Sequence, residues 1–144
     1  MKIVIRYSFI YNKQFNPKFE EKDLFKLRRD CLEFEYIYNK NIKKLLKKIG
    51  KFKRKFIPIY IVKDKTSFSD PLTLKYKKDP KLMFITLAHE LLHNSIQKKF
   101  KSKKELHKYM EPILNKIILS INKEFKPQLD QMNKLLKKIE RIKK

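Results

Sequence analysis

Tryptophan is absent from this sequence, glycine and cysteine occur once each, and acidic residues are few. The single cysteine, Cys31, excludes an intrachain disulfide and favours a reducing, cytoplasmic setting. Because Cys31 falls in phase with apolar neighbours at helical spacing, it is predicted to be a small core residue rather than a reactive thiol. The single glycine, Gly50, follows a helical pattern where a C-terminal cap belongs.

Long hydrophobic runs are also missing. The uncharged run from Leu82 to Ala88 is far too short to span a bilayer. We expect no secretory signal after Met1, because Arg6 interrupts the first apolar segment and no small-residue cleavage site follows. The chain of 144 residues is 42% apolar, which is enough for one compact core. A single soluble domain over 1–144 is therefore expected.

The deficit of acidic residues leaves a formal net charge of +23. A charge of this size suits a nucleic acid or an anionic membrane surface as partner. The lysines, however, are spread along the chain and mostly occupy the polar sides of helical patterns, which favours a solvated basic surface. The run 43–55, with eight basic residues and no acid, has the same two interpretations.

The apolar spacing predicts an α+β fold, with a small, mostly antiparallel sheet on one side of a helical core. Strands are predicted at 2–11, 55–63 and 72–77, where β-branched and aromatic residues cluster or alternate. Pro112 is expected to kink one of the helices or to mark its start. Helices are predicted from Asn16 and Pro17 to Gly50, from Asp79 and Pro80 to about Phe100, from Ser102 onward, and from about Pro127 onward.

Residues 89 to 93 read His-Glu-Leu-Leu-His within the second of these helices. Histidines four apart project from one helix face with Cβ atoms about 5–6 Å apart, so both imidazoles can bind one ion at about 2.0–2.1 Å. Glu90 stands one step around the helix, where it can take a proton from metal-bound water. The pattern predicts zinc held by His89 and His93, with Glu90 as general base.

The segment Phe84–Asn94 (FITLAHELLHN) resembles the active-site helix of zincin metallopeptidases. The metzincin class is excluded, because its pattern needs a glycine and a histidine where this chain has Ile96 and Lys99. The gluzincin pattern has a glutamate on a following helix and an acidic or amide residue four positions later, and Glu111 and Asn115 are similar to it. The resemblance implies that Glu111 is the third metal ligand and that Asn115 orients a motif histidine.

Two other residues compete with Glu111 for the third ligand position. His107 is a good ligand type, and its other interpretation is a partly exposed polar residue of a helix. Glu105 forms a capping-box pattern with Ser102, and a capping or surface role is favoured for it. Glu111, with Pro112 next to it, has its own alternative as a first-turn glutamate stabilised by the helix dipole.

The nearest resemblance is to the minigluzincins, small soluble archaeal proteins that are minimal relatives of the peptidase domains of integral-membrane zincins. It implies a zinc-dependent endopeptidase acting on peptides or proteins, built from a small sheet, a long backing helix, an active-site helix and a glutamate helix. It also implies latency, with an end segment of the chain in the cleft. The segment 72–77 is expected to be the edge strand that pairs with substrate. Tyr109, His107 and Tyr76 are candidate oxyanion donors.

The C-terminal segment 123–144 and the overall charge leave alternatives open. The apolar stripe from Leu129 to Ile142 is interpreted as part of the domain core, as a latency or docking helix, or as a dimer seam. The alternative function is a basic nucleic-acid-binding protein whose metal site is structural or vestigial, although no nucleic-acid motif supports it. A third interpretation is a latent or scaffold protein that has the zincin fold but no activity in isolation.

Overall fold

The computed structural model describes residues 1–52, 54–96 and 98–142. Within these residues it has four strands and six α-helices, which confirms the predicted α+β class. Lys53 of the basic run 43–55 and residues 143 and 144 of the C-terminal segment lie outside the described residues. In chain order, the elements are β1 (Lys2–Arg6), α1 (Phe9–Phe15), α2 (Glu21–Asp30), α3 (Leu32–Ile49), β2 (Phe56–Val62), β3 (Phe68–Ser69), β4 (Leu72–Lys75), α4 (Pro80–Ser95), α5 (Lys103–Ile121), a 3-10 turn (Lys123–Phe125) and α6 (Lys126–Ile142).

The sheet is mixed rather than mostly antiparallel. Its strand order is β1-β2-β4-β3; β1 and β4 both run parallel to β2, and only β3 is antiparallel to its neighbour β4. Three helices separate β1 from β2 and allow the parallel crossover. After β2 the chain crosses to the far edge, forms β3 and turns back into β4. The expected edge position of 72–77 is therefore wrong, because β4 lies between β2 and β3.

The predicted helix ends are confirmed where a polar side chain or a glycine caps the helix. The Asp79 carboxylate accepts the backbone N–H groups of Lys81 and Leu82 at the start of α4. Gly50 closes α3 with a φ of 91°, in the left-handed region that favours glycine. Other boundaries differ: α4 ends at Ser95, short of Phe100, and α5 continues through Pro112.

The single long helix predicted from Asn16 to Gly50 is wrong, because the chain forms two helices there, α2 and α3, after the earlier helix α1. Ser8 caps α1 and its hydroxyl accepts the N–H of Tyr11, so the expected strand over 2–11 ends at Arg6. Asn16 closes α1 instead of starting a helix. A second joint lies at Cys31, between α2 and α3. Cys31 is fully buried, as predicted for a core residue.

Helix α4 lies at the centre of the fold. It contacts β3 and β4 on the sheet side and α3, α5 and α6 on the other sides, so it is apolar around most of its circumference. Helix α6 supplies Leu129 and Met132 to the same hydrophobic core. Across residues 1–52, 54–96 and 98–142, no helix combines the length and apolar character of a bilayer-spanning segment. The buried residues of α4 are Met83, Phe84, Ile85, Leu87, Ala88, His89, Glu90, Leu91 and Leu92.

Candidate metal centre

His89 and His93 project side by side from the last two turns of α4. Their Nε2 atoms are 3.0 Å apart, and the two rings meet edge to face with centroids 4.6 Å apart. The last turn of α4 is joined to the edge strand β3, because the Asn94 side-chain amide donates to the Ser69 carbonyl at 2.8 Å. The predicted pairing of these two histidines is thus present and held in place by the sheet.

The third histidine of the chain, His107, completes the group from α5. Its ring centroid lies 5.3 Å from that of His89 and 5.5 Å from that of His93. One nitrogen from each of the three rings lies within 4.8 Å of the others, and among the described residues these three are the metal-ligating side chains that converge in this way. The structure therefore brings His107 to the pair, where the resemblance to gluzincins implied Glu111.

Glu111 and Asn115 share one face of α5, as their spacing predicts, but this face is turned toward α6. The Glu111 carboxylate lies 3.8 Å from the Lys137 ammonium. The Asn115 side-chain oxygen accepts a 2.9 Å hydrogen bond from the Asn133 amide. Glu111 is not part of the converging group, and its assignment as a ligand stays a prediction.

Glu105 is engaged in capping. The Ser102 hydroxyl accepts the N–H of Glu105 at 3.2 Å, and the Glu105 carboxylate accepts the N–H of Lys101 at 3.3 Å. These bonds fix the first turn of α5. Because His107 lies on the next turn, the cap also sets the position of His107 relative to α4.

Burial controls the protonation of the motif residues. It lowers the pKa of His89 to about 3, with a further contribution from the charges of His93 and His107. Burial also lowers the pKa of His93 to about 4, assisted by His107 and Lys103. Both rings are therefore neutral near pH 7, which is the form that binds metals. Burial raises the pKa of the Glu90 carboxyl to about 7, so this group can both accept and release a proton near neutrality.

A cavity of about 330 Å³ lies between α5 and α6 and reaches the histidine group at His89 and His107. Its apolar wall is formed by Met110, Leu114 and Leu136, and its polar wall includes Glu111 and Lys137. Helix α6 is thus one wall of the cavity. Apolar pockets with a few converging polar groups are the usual form of small-ligand sites.

The donor set fits a zinc ion. Nitrogens bound to one tetrahedral zinc at about 2.0–2.1 Å lie about 3.4 Å apart. The His89–His93 spacing of 3.0 Å is close to this value, and the third ring is within 4.8 Å. Three imidazole ligands leave one position open, as in catalytic zinc sites, whereas structural sites use four protein ligands.

Of the three candidate oxyanion donors, only His107 lies in the histidine group. Tyr109 is exposed and stacks near Phe100, and Tyr76 packs against the hydrophobic core. Sequence reasoning ranked His107 behind Glu111. The available signal was that the chain has only three histidines, and that the third follows the Ser102 cap by about one turn and a half.

Comparisons with protein-family models, curated proteins and solved structures found no match to this chain.

Proposed function

We propose that this chain is a zinc-dependent peptidase in which His89, His93 and His107 hold the metal and Glu90 is the general base. The observation that supports this most directly is the convergence of the three histidines, two from α4 and one from α5. The buried Glu90 follows His89 directly on α4. Burying His89 and Glu90 away from water is costly unless a partner satisfies their polar atoms. A metal and its water satisfy them together.

The ligand set in this proposal departs from the gluzincin set that the resemblance implied. His107 replaces Glu111 because the ring nitrogen of His107 already lies near the pair, while the Glu111 carboxylate faces Lys137. Glu111 then belongs to the wall of the adjacent cavity, where it can contact a substrate. The cytoplasmic setting inferred above remains part of the proposal, whereas the latency that the resemblance implied stays a separate prediction.

The chemistry divides between the metal and the chain. A zinc ion held there would lower the pKa of its water toward about 7 and polarise a peptide carbonyl. Glu90 would accept the proton of the attacking water, because burial makes its carboxylate a stronger base than an exposed one. Glu90 then passes that proton to the leaving amine. The low exposure of His89 and Glu90, 7% and 8%, keeps bulk water away from the proton transfer.

The variant Glu90→Gln tests the proposal. We expect the zinc-loaded wild-type protein to cleave casein or a mixed peptide library, and a chelator to stop it. Glu90→Gln should keep the metal and lose hydrolysis by about 100-fold or more, because general acid–base catalysis contributes on this scale. Glu105→Gln is the matched control, since its carboxylate caps a helix. Full hydrolysis by Glu90→Gln, or none by the zinc-loaded wild type, contradicts the proposal.

A further inference from the structure

A dense basic surface surrounds the start of α5, and two of its lysines, Lys104 and Lys108, also line the rim of the 330 Å³ cavity. Between residues 98 and 108 there is one acidic residue, Glu105, and its carboxylate caps the helix. An open depression on this surface is lined by lysines and by the rings of Phe100 and Tyr109. The exposed lysines of this stretch, together called the α5 basic surface, are Lys98, Lys99, Lys101, Lys103, Lys104 and Lys108.

Two aromatic rings lie in the middle of these charges. Phe100 and Tyr109 have ring centroids 5.1 Å apart, and the Lys98 ammonium lies 5.7 and 5.5 Å from their centroids. Tyr109 is 42% exposed. Phe100 beside it is partly exposed, so the pair offers accessible ring surface that a partner can cover.

The other basic run of the chain lacks this feature. In the run 43–55, the aromatic residue Phe52 packs against the hydrophobic core. Tyr36 on α3 is exposed and has Lys40 beside its ring at 5.6 Å, but it makes no aromatic pair among the described contacts. The combination of a cationic surface with paired, accessible rings therefore distinguishes the α5 basic surface.

We propose that the α5 basic surface binds single-stranded nucleic acid. Proteins that bind single strands combine a positively charged surface for the phosphates with aromatic side chains on which bases stack. Lysines supply the first contact here, and Phe100 and Tyr109 supply the second. A peptide of acidic residues alone, such as polyglutamate, would use the charges but has no flat rings to cover the aromatic pair. The surface borders the metal site, since His93, Lys98 and Phe100 line one neighbouring depression, yet binding requires neither the metal nor hydrolysis.

The aromatic part is tested by fluorescence anisotropy with a labelled thymidine oligonucleotide of about 15 nucleotides. Tyr109→Ala should weaken binding by roughly five-fold or more, because stacking of one base contributes on this scale. Tyr36→Ala is the matched control. It should change the affinity by less than about two-fold, which is on the order of the measurement error. Both tyrosines are exposed, so both variants should fold. Equal effects of the two variants, or no effect of Tyr109→Ala, overturn the proposal.

The charged part is tested by the salt dependence of the same binding. Replacing Lys98, Lys99 and Lys101 with alanine should reduce the slope of log affinity against log salt by about 2, since each phosphate contact on a single strand contributes about 0.7. Replacing Lys43, Lys44 and Lys47 with alanine removes the same charge from α3 and should change the slope much less. Equal loss in both triple variants means a general basic surface and overturns the proposal. Equally tight binding of polyglutamate of matched length also overturns it.

Discussion

At the residue scale, the candidate site depends on how far the motif side chains are removed from water. Burial lowers the pKa values of His89 and His93 and raises that of Glu90, because in each case the charged form is poorly solvated. The two histidines are thereby ready to bind a metal. Glu90 in the metal-free protein should instead cost stability whenever it is ionised.

We predict that Glu90→Gln stabilises the metal-free protein at alkaline pH. The folded-state pKa of Glu90 is raised from 4.5 to about 7, so between these values the unfolded state releases a proton that the folded state keeps. The contribution of Glu90 to the wild-type free energy of unfolding therefore falls as the pH rises from 4.5 to about 7, and it stays low above that pH. The advantage of Glu90→Gln should approach about 3 kcal/mol above pH 7 as an upper value.

Chemical unfolding with a chelator present, at about pH 5 and pH 8, measures this difference. The histidine contributions are common to both proteins and largely cancel in the comparison. Glu105→Gln, at an exposed position, should show no comparable growth of the difference with pH. An advantage of Glu90→Gln that is the same at both pH values would contradict the prediction.

At this scale, the sequence could predict those parts of the site that depend only on the local spacing of residues. His89 and His93 lie on one helix, so a separation of four residues is enough to place them together. His107 reaches them from another helix, and its position depends on the loop after α4 and on the Ser102 cap. Glu111 has the right residue type and a suitable partner in Asn115, but the contacts with α6 that occupy both are long-range and leave no local signal.

At the scale of elements, α6 is built into the core. Leu129 and Met132 are 2% and 6% exposed, and the preceding Phe125 stacks on Phe84 of α4 with ring centroids 5.5 Å apart. The helix also lines the cavity beside the histidines. Removing a segment that only covers the cleft would leave the rest of the domain intact. Removing α6 would also remove side chains of the hydrophobic core.

We predict that Leu129→Ala costs about 2–5 kcal/mol in free energy of unfolding, as expected for a buried leucine. Leu135→Ala, on the same helix but at a side chain that is 48% exposed, should cost less than about 1 kcal/mol. Denaturant unfolding of the two variants beside the wild type measures both. Small and equal losses would contradict a core role for α6 and would favour a detachable latency or docking segment.

The elements that the sequence predicted well are those with a capping side chain at their start. Asp79 and Ser102 mark α4 and α5 correctly because a cap acts within three residues. The joint at Cys31 was missed because the apolar stripe continues in steps of three and four across it. Helix α1 was missed although Ser8 caps it, because long-range contacts of Asn12 also stabilise it: the Asn12 amide donates to the Ile61 carbonyl and its oxygen accepts the N–H of Lys63.

At the scale of the whole molecule, strand order and direction were the least predictable features. The α+β class follows from the periodicities, but the parallel pairing of β1 and β4 with β2 depends on crossovers that no short pattern encodes. The net charge of +23 alone did not indicate which part of the surface binds a partner. Only the folded chain separates a basic run that is merely solvated from one that surrounds Phe100 and Tyr109.

The central claim is a metal site made by three histidines, and elemental analysis of the purified protein beside His107→Ala and Glu111→Ala tests it most directly. We predict about one equivalent of zinc in the wild type and in Glu111→Ala, and a large loss in His107→Ala, because three protein ligands define an open zinc site. Circular dichroism of all three proteins would check that they are folded. Zinc lost from Glu111→Ala but retained in His107→Ala, or no zinc bound by the wild type, would contradict the claim.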